Sequence, residues 1–141
     1  GPDRSRLEQL DVDHQVIFTG ALTGQFLAEA YASSDVFVFA SRVETFGNVV
    51  LEAMASGLPV IAYDYACAHQ YIKHAESGWL FDVQDEVGFC AQLMRIPDVQ
   101  TLRVMGTVAV EAVQQVGWQR PVQQFEQALY HALQGCQYRA V

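Results

Sequence analysis

Two short apolar runs, residues 35–40 and 58–63, constrain the fold more than any other feature of this sequence. Both runs are apolar on both faces, which is typical of a strand that lies in a sheet with helices on either side. The segment between them, residues 47–56, has helical length and stops at Gly57, a common residue after the end of a helix. A strand, a helix and a second strand in this order predict two parallel strands of one sheet.

The same alternation extends along the chain and predicts a single domain over residues 1–141. The other predicted strands are residues 15–19 and 78–81. The other predicted helices are residues 4–10, a helix capped by Thr23, and residues 69–74, 87–95, 99–115 and 121–134. The fold class is therefore α/β, a Rossmann-like parallel sheet sandwiched by helices. Ligands of such sheets bind at the carboxyl ends of the strands.

The charge balance excludes nucleic acid as a partner. Eight Lys and Arg residues stand against 16 Asp and Glu residues, the formal net charge is −8, and Lys73 is the only lysine. A basic patch of the kind that binds a phosphate backbone cannot form from this set. No apolar run approaches the roughly 20 residues of a membrane span. We therefore expect no signal peptide or transmembrane helix, and a cytoplasmic protein.

The cysteines favour reduced thiols rather than disulfides. Cys67, Cys90 and Cys136 are odd in number and lack a C-x-x-C spacing. Cys67, His69 and His74 form an incomplete set of metal ligands without the paired spacing of structural zinc sites. We predict no metal site.

Glu52 is the first candidate functional residue. It is the one charged residue between Thr45 and Tyr63, within an apolar helix. An ionised carboxylate in such a helix costs several kcal/mol unless it faces a crevice or has a partner. Glu44 lies eight positions earlier, in the loop that leaves a strand. Both carboxylates are therefore expected to border one cleft.

The start of the same helix is a candidate anion site. Gly47 and Asn48 allow a tight turn that leaves backbone N–H groups free for a phosphate. Arg42 lies in the same loop. Carboxylates accept hydrogen bonds from hydroxyl groups, so a ligand with phosphates and hydroxyls, such as a nucleoside diphosphate sugar, fits this arrangement.

The segment from Asp35 to Val60, with Glu44 and Glu52 eight positions apart, resembles the E-x7-E signature of the family 4 glycosyltransferases, the large group 1 family with the GT-B fold. The resemblance extends along nearly the whole chain. It implies the C-terminal, nucleotide-sugar-binding domain of such an enzyme, truncated so that it lacks its first two strands. The N-terminal acceptor domain is also absent.

The resemblance implies roles for particular residues. Glu44 is the catalytic residue and contacts the hydroxyls of the donor sugar, while Glu52 binds the ribose hydroxyls. The remaining donor-binding residues are Phe46, Gly47, Asn48 and Val49 for the diphosphate, with Arg42 beside them, and Leu22 and Thr23 near the base. Transfer proceeds with retention of configuration and without a metal or other cofactor; the substrate is a nucleotide diphosphate sugar.

One motif departs from the family pattern. Many members carry a Gly-Gly-x-x-Glu segment where this sequence has residues 66–70, Ala-Cys-Ala-His-Gln. Asp64, just before it, either faces the cleft or caps the next helix. Trp79 and Trp118 are interpreted as packing residues.

Two other functions stay open from the sequence, a GT-B-related nucleotide-sugar epimerase and a non-catalytic α/β nucleotide-binding module. The acceptor, a lipid, a polysaccharide or a small molecule, is not determined.

The chain alone is expected to be inactive. In the sheet of the family, the two missing strands would lie between the strand at residues 15–19 and the strand at residues 35–40. The two remaining strands must therefore pair directly, exchange strands in a dimer or leave open edges. We expect a homo-oligomer, and a full-length protein that is either cytoplasmic or peripheral at the membrane.

Overall fold

The computed structural model describes residues 4–10, 15–43 and 48–114. Its elements in chain order are α1 (Arg4–Leu10), α2 (Gly24–Ala32), β1 (Phe37–Phe39), α3 (Asn48–Ala55), β2 (Val60–Tyr63), α4 (Ala66–Tyr71), β3 (Gly78–Phe81), α5 (Glu86–Leu93) and α6 (Val99–Val113). The predicted helix over residues 121–134 and Trp118 lie outside the described residues. Among the described helices, none has the length and apolar character needed to cross a membrane.

The three strands form one parallel sheet in the order β1-β2-β3. Phe37 lies opposite Val60, and Val60 lies opposite Gly78, so all three strands run in register from the same edge. All four residues of β2 are buried. The interpretation of residues 58–63 as a buried strand is confirmed, and so is the α/β class with a parallel sheet. Residues 35–40 form the strand β1, but this strand is not covered on both faces, because Val38 is 41% exposed.

The core lies on both faces of the sheet, because successive side chains of a strand point to opposite sides. Val60 and Ala62 of β2 pack into a cluster with residues of α3 and α4. Ile61 and Tyr63 pack into a second cluster with Phe89 of α5. Trp79 is buried in the second cluster, so its interpretation as a packing residue is confirmed.

A close contact between backbones joins α3 to α6. The N–H of Gly57 donates to the carbonyl of Met54, and Gly57 has φ +81°, the conformation predicted for the residue after a helix. Gly106 of α6 packs against this turn, because an added Cβ at Gly106 would meet the Gly57 carbonyl oxygen at 2.0 Å. Only glycine allows the two segments to lie this close.

The predicted strand over residues 15–19 is wrong. Residues 15–20 have no regular secondary structure, and Ile17 is 85% exposed. A strand requires a neighbouring strand for its backbone groups, and in the described part of the chain β1 pairs with β2 alone. Direct pairing of this segment with β1, one of the three predicted ways to close the sheet, does not occur.

Two helix boundaries also differ from the prediction. α4 begins at Ala66 and ends at Tyr71, before His74, because the next residue, Ile72, is extended and buried in the core. α5 begins at Glu86, where the carboxylate of Asp85 accepts the Gly88 N–H and caps the helix.

The two N-terminal helices have little contact with the core. α1 and α2 bury no residue, and Phe26 of α2 is 71% exposed. α2 approaches the sheet through Tyr31, whose ring lies 5.8 Å from that of Phe37.

Candidate functional site

A shallow cleft lies at the carboxyl edge of the sheet, where β1, β2 and β3 end. The lining residues come from the ends of β1 and β2 and from the first turns of α3 and α4; they are Phe39, Ser41, Val50, Tyr63, Tyr65, Cys67 and Ala68. This is the place where ligands bind in parallel α/β sheets.

The start of α3 faces this cleft through Val50. Asn48 and Val49, the first two residues of the helix, are exposed. The first backbone N–H groups of a helix have no partner within the helix, and the helix dipole adds partial positive charge there. Gly47 lies outside the described residues, so the phosphate site at this end of α3 stays a prediction.

Glu52 lies one turn further along α3, on the same face as Asn48. Its side chain is exposed, and its Oε2 accepts a hydrogen bond of 3.2 Å from the hydroxyl of Tyr31 on α2. The pKa of Tyr31 is raised, first by burial and then by the negative charge and hydrogen bond of Glu52. Water and the Tyr31 hydroxyl therefore solvate the charge of Glu52, which explains how an apolar helix can carry an ionised carboxylate.

Glu44, Phe46 and Gly47 fall within residues 44–47, outside the described part of the chain, and their roles stay predictions. Leu22 and Thr23 lie just before α2, and neither lines the cleft. Thr23 occupies the N-cap position of α2 without a hydrogen bond from its side chain. Leu22 and Thr23 lie at the opposite end of α2 from Tyr31, and their contact with the base stays a prediction.

Arg42 lies where the loop leaves β1. Its guanidinium is 5.5 Å from the centroid of the Tyr63 ring, and its Nη2 is 3.3 Å from Oε2 of Glu86. The pKa of Arg42 is raised, first by the neighbouring Tyr63 side chain and then by the negative charge of Glu86. Arg42 therefore packs on Tyr63, a residue that lines the cleft, and pairs with Glu86 at the start of α5.

Asp64 follows β2 and pairs with a histidine. Its Oδ1 lies 2.6 Å from Nδ1 of His69 in α4. Of the two interpretations of Asp64, the helix cap does not apply, because Tyr65 is the N-cap residue of α4. Ala66, the first residue of α4, has φ +48°. This is the left-handed conformation that glycine adopts without penalty, and the Gly-Gly segment of the resemblance has a glycine at this point.

Three tyrosines and one acid of this edge were missed from the sequence; they are Tyr31, Tyr63, Tyr65 and Glu86. The contact between Tyr31 and Glu52 joins residues 21 positions apart. A hydroxyl-bearing aromatic residue at the end of a buried strand, as at Tyr63, was the available signal.

Comparison with known proteins relates the chain to one family. The family model described as "Glycosyl transferases group 1" matches residues 1–98. The sulfoquinovosyl transferase of Arabidopsis thaliana is 37% identical over 137 residues, which are 94% of this chain and 27% of that protein. A GDP-mannose-dependent alpha-mannosyltransferase of Mycobacterium tuberculosis is 49% identical over 83 residues, 59% of this chain and 21% of that protein.

Solved structures agree with this relation. Sucrose-phosphate synthase from Thermosynechococcus elongatus superposes with a TM-score of 0.76 at 32% identity, covering 96% of this chain and 35% of that one. Anabaena HepE in complex with UDP and glucose superposes with a TM-score of 0.71 at 25% identity, covering 90% of this chain and 35% of that one. The chain spans about a quarter to a third of the length of these relatives.

Proposed function

Because the chain belongs to the group 1 glycosyl transferases, we propose that its cleft binds a nucleotide-sugar donor and that the full-length protein transfers the sugar to an acceptor. The observation that carries this proposal is the position of Glu52. It stands exposed on α3, one turn from the first residue of that helix, and Tyr31 donates to one of its oxygens, while Val50 of the same helix lines the cleft. The similar protein HepE is in complex with UDP and glucose.

The proposed arrangement divides the donor among the elements. The start of α3, with Asn48 and Val49, attracts the diphosphate through its N–H groups and dipole. Glu52 accepts hydrogen bonds from the ribose hydroxyls. Glu44 contacts the sugar that is transferred. Arg42 supplies a positive charge close to the cleft.

Binding of the donor is tested with the full-length protein by calorimetric titration of UDP, GDP and ADP and their sugars. We expect one nucleotide to bind, and Glu52→Gln to weaken it about tenfold, because a hydrogen bond to a charged group contributes roughly 1.5–3 kcal/mol. Glu76→Gln is the control, since Glu76 is an exposed acid in the turn before β3. Absence of binding by every nucleotide would overturn the donor site and favour a regulatory module with a degenerate site.

Turnover tests the role of Glu44. We propose that Glu44→Gln lowers turnover while nucleotide affinity changes little, because its proposed contacts are with the sugar. An equal, small effect of Glu44→Gln and Glu52→Gln on both quantities would contradict the assignment of this site.

We also propose that transfer retains the anomeric configuration and needs no metal, in line with the resemblance to family 4. Turnover should be unchanged by EDTA, and NMR of the product should show the anomer of the donor. Loss of activity in EDTA with recovery in Mg²⁺ would refute metal independence, and an inverted product would refute retention. Release of free epimerised sugar, without transfer, would favour the epimerase.

A further inference from the structure

The edge of the sheet that carries the cleft is acidic. Among the described residues, the connections that follow β1, β2 and β3, with the first residue of α5, contain the four acids Asp64, Asp82, Asp85 and Glu86, and the sequence adds Glu44 after β1. Among the described residues of these connections, Arg42 is the one basic side chain. An anionic ligand that approaches this edge is repelled by the carboxylates and attracted by Arg42.

Arg42 is held by two contacts of unequal strength. Tyr63 is only 5% exposed, so its ring is a fixed platform beneath the guanidinium. The ion pair with Glu86 is open to water: the side chains are 51% and 72% exposed, and the N–O distance is 3.3 Å. Exposed ion pairs of this kind contribute little, because water screens them and the side chains lose freedom.

A diphosphate at the start of α3 offers Arg42 a stronger partner than Glu86. It carries more than one negative charge, and its oxygens match the planar fork of N–H groups of a guanidinium. Arg42 can keep its contact with the Tyr63 ring while it exchanges the carboxylate for a phosphate oxygen, because the ring and the carboxylate touch different parts of its side chain.

We propose that Glu86 competes with the diphosphate of the donor for Arg42 and thereby sets the affinity of the cleft. The inference rests on the proposed function, and it adds a residue of α5 that does not line the cleft. Release of Glu86 accompanies binding, so the ion pair lowers affinity by the free energy needed to break it. For an exposed pair this is about two- to fivefold in affinity.

The experiment measures nucleotide affinity in the full-length protein by calorimetry. UDP, GDP and ADP are titrated first, and the tightest of them is the probe for Glu86→Gln, Arg42→Gln and the double variant. We expect Glu86→Gln to tighten binding about two- to fivefold and Arg42→Gln to weaken it. When Arg42→Gln is already present, Glu86→Gln should not change nucleotide affinity, because the guanidinium that both anions bind is gone.

Glu76→Gln is the matched control. It removes the same charge, but Glu76 precedes β3 and so lies at the amino edge of the sheet, whereas Glu86 follows its carboxyl end. A gain in affinity that is equal in Glu76→Gln and Glu86→Gln would show a general charge effect and overturn the inference. Thermal unfolding of each variant checks that α5 stays folded.

The remaining outcomes separate the inference from the proposed function. Weaker binding by Glu86→Gln would mean that the ion pair holds Arg42 in its binding position, which overturns competition but leaves the donor site. Unchanged affinity of Arg42→Gln would remove Arg42 from the site and overturn the inference alone. Failure of the wild-type protein to bind any nucleotide would overturn both.

Discussion

Tyr31 shows how a single side chain links a peripheral helix to the candidate site. α2 buries no residue, yet the Tyr31 hydroxyl donates to Glu52 on α3. This hydrogen bond orients the carboxylate through Oε2 and leaves Oε1 available to a ligand. Through this one side chain, α2 contributes to the candidate site.

Tyr31→Phe should lower the free energy of unfolding at pH 7 by about 0.5–1 kcal/mol, the usual contribution of one hydrogen bond that is partly open to water. Urea denaturation measures it. Tyr71→Phe is the control, since the Tyr71 hydroxyl makes no hydrogen bond to another described residue. An equal loss in both variants would show that the effect comes from packing.

The same contact depends on pH. The pKa of Tyr31 is raised above its ordinary value of 10.0, so the neutral phenol is favoured in the folded state. The stability from Tyr31 is present below pH 10 and is lost as pH rises through the folded-state pKa. The difference between wild type and Tyr31→Phe should accordingly shrink above pH 10.

Ala66→Gly should stabilise the protein by up to about 1 kcal/mol. Ala66 has φ +48°, and a left-handed conformation costs a residue with a Cβ roughly 1–2 kcal/mol, part of which is offset by the greater entropy of glycine in the unfolded chain. Ala68→Gly, two residues later and buried within α4, should destabilise by about 1 kcal/mol. Denaturation curves that show the same sign for both substitutions would contradict this account of Ala66.

α6 is the element on which both core clusters converge, and its first turn depends on a carboxylate. Leu102 belongs to one cluster and Ala109 to the other. Asp98 caps the helix: its Oδ1 accepts the N–H groups of Gln100 and Thr101, both at 3.0 Å. These hydrogen bonds stabilise the ionised form, and the pKa of Asp98 is lowered, chiefly by the bonds to Thr101.

The cap predicts an acid-sensitive helix. Because the folded-state pKa of Asp98 lies below its ordinary value of 3.8, the stability it contributes is present above pH 3.8 and is lost as pH falls through the folded-state pKa. Asp98→Asn should keep the cap, since asparagine is an equally good N-cap residue, but lose this part of the pH dependence. Denaturation at pH 2.5, 4 and 7 measures it; identical pH profiles would refute the role of the Asp98 charge.

At the scale of the whole molecule, the described chain divides into a packed part, residues 36–114, and a segment with little buried surface, residues 15–34. The division follows the sheet, because β2 is buried on both faces while residues 15–20 lie outside it. Large exposed apolar side chains on the second part include Ile17 and Phe26.

The 141-residue chain alone should self-associate through these exposed side chains, because contact with a second copy would remove their apolar surface from water. Phe26→Asp should shift the sedimentation profile towards monomer. Val87→Asp is the control, since Val87 is equally exposed but lies on α5, which buries Phe89 against the sheet. A monomeric wild-type chain at micromolar concentration would contradict the expected oligomer.

The sequence predicted those parts of the fold that depend on local pattern. β2 was recognisable because its residues are apolar on both faces, and the end of α3 because Gly57 follows it. Residues 15–19 carry the same local signal as a strand, but a strand also needs a neighbour, and local pattern does not report one. The contact of Arg42 with Glu86 was not predictable, since it arises only when the ends of β1 and β3 meet across β2.

The burial of β2 also determines how the protein exchanges its amide hydrogens with solvent. β2 is bonded on both sides, to β1 and β3, and is covered by a cluster on each face. Its amides can exchange only when the entire sheet opens, so they should report the global unfolding equilibrium in deuterium labelling. Amides of residues 15–34 need only local fluctuations, so the labelling rate should fall sharply from residue 34 to residue 37. The kinetic boundary of the chain would then coincide with the first hydrogen bond of its sheet, from Phe37 to Pro59.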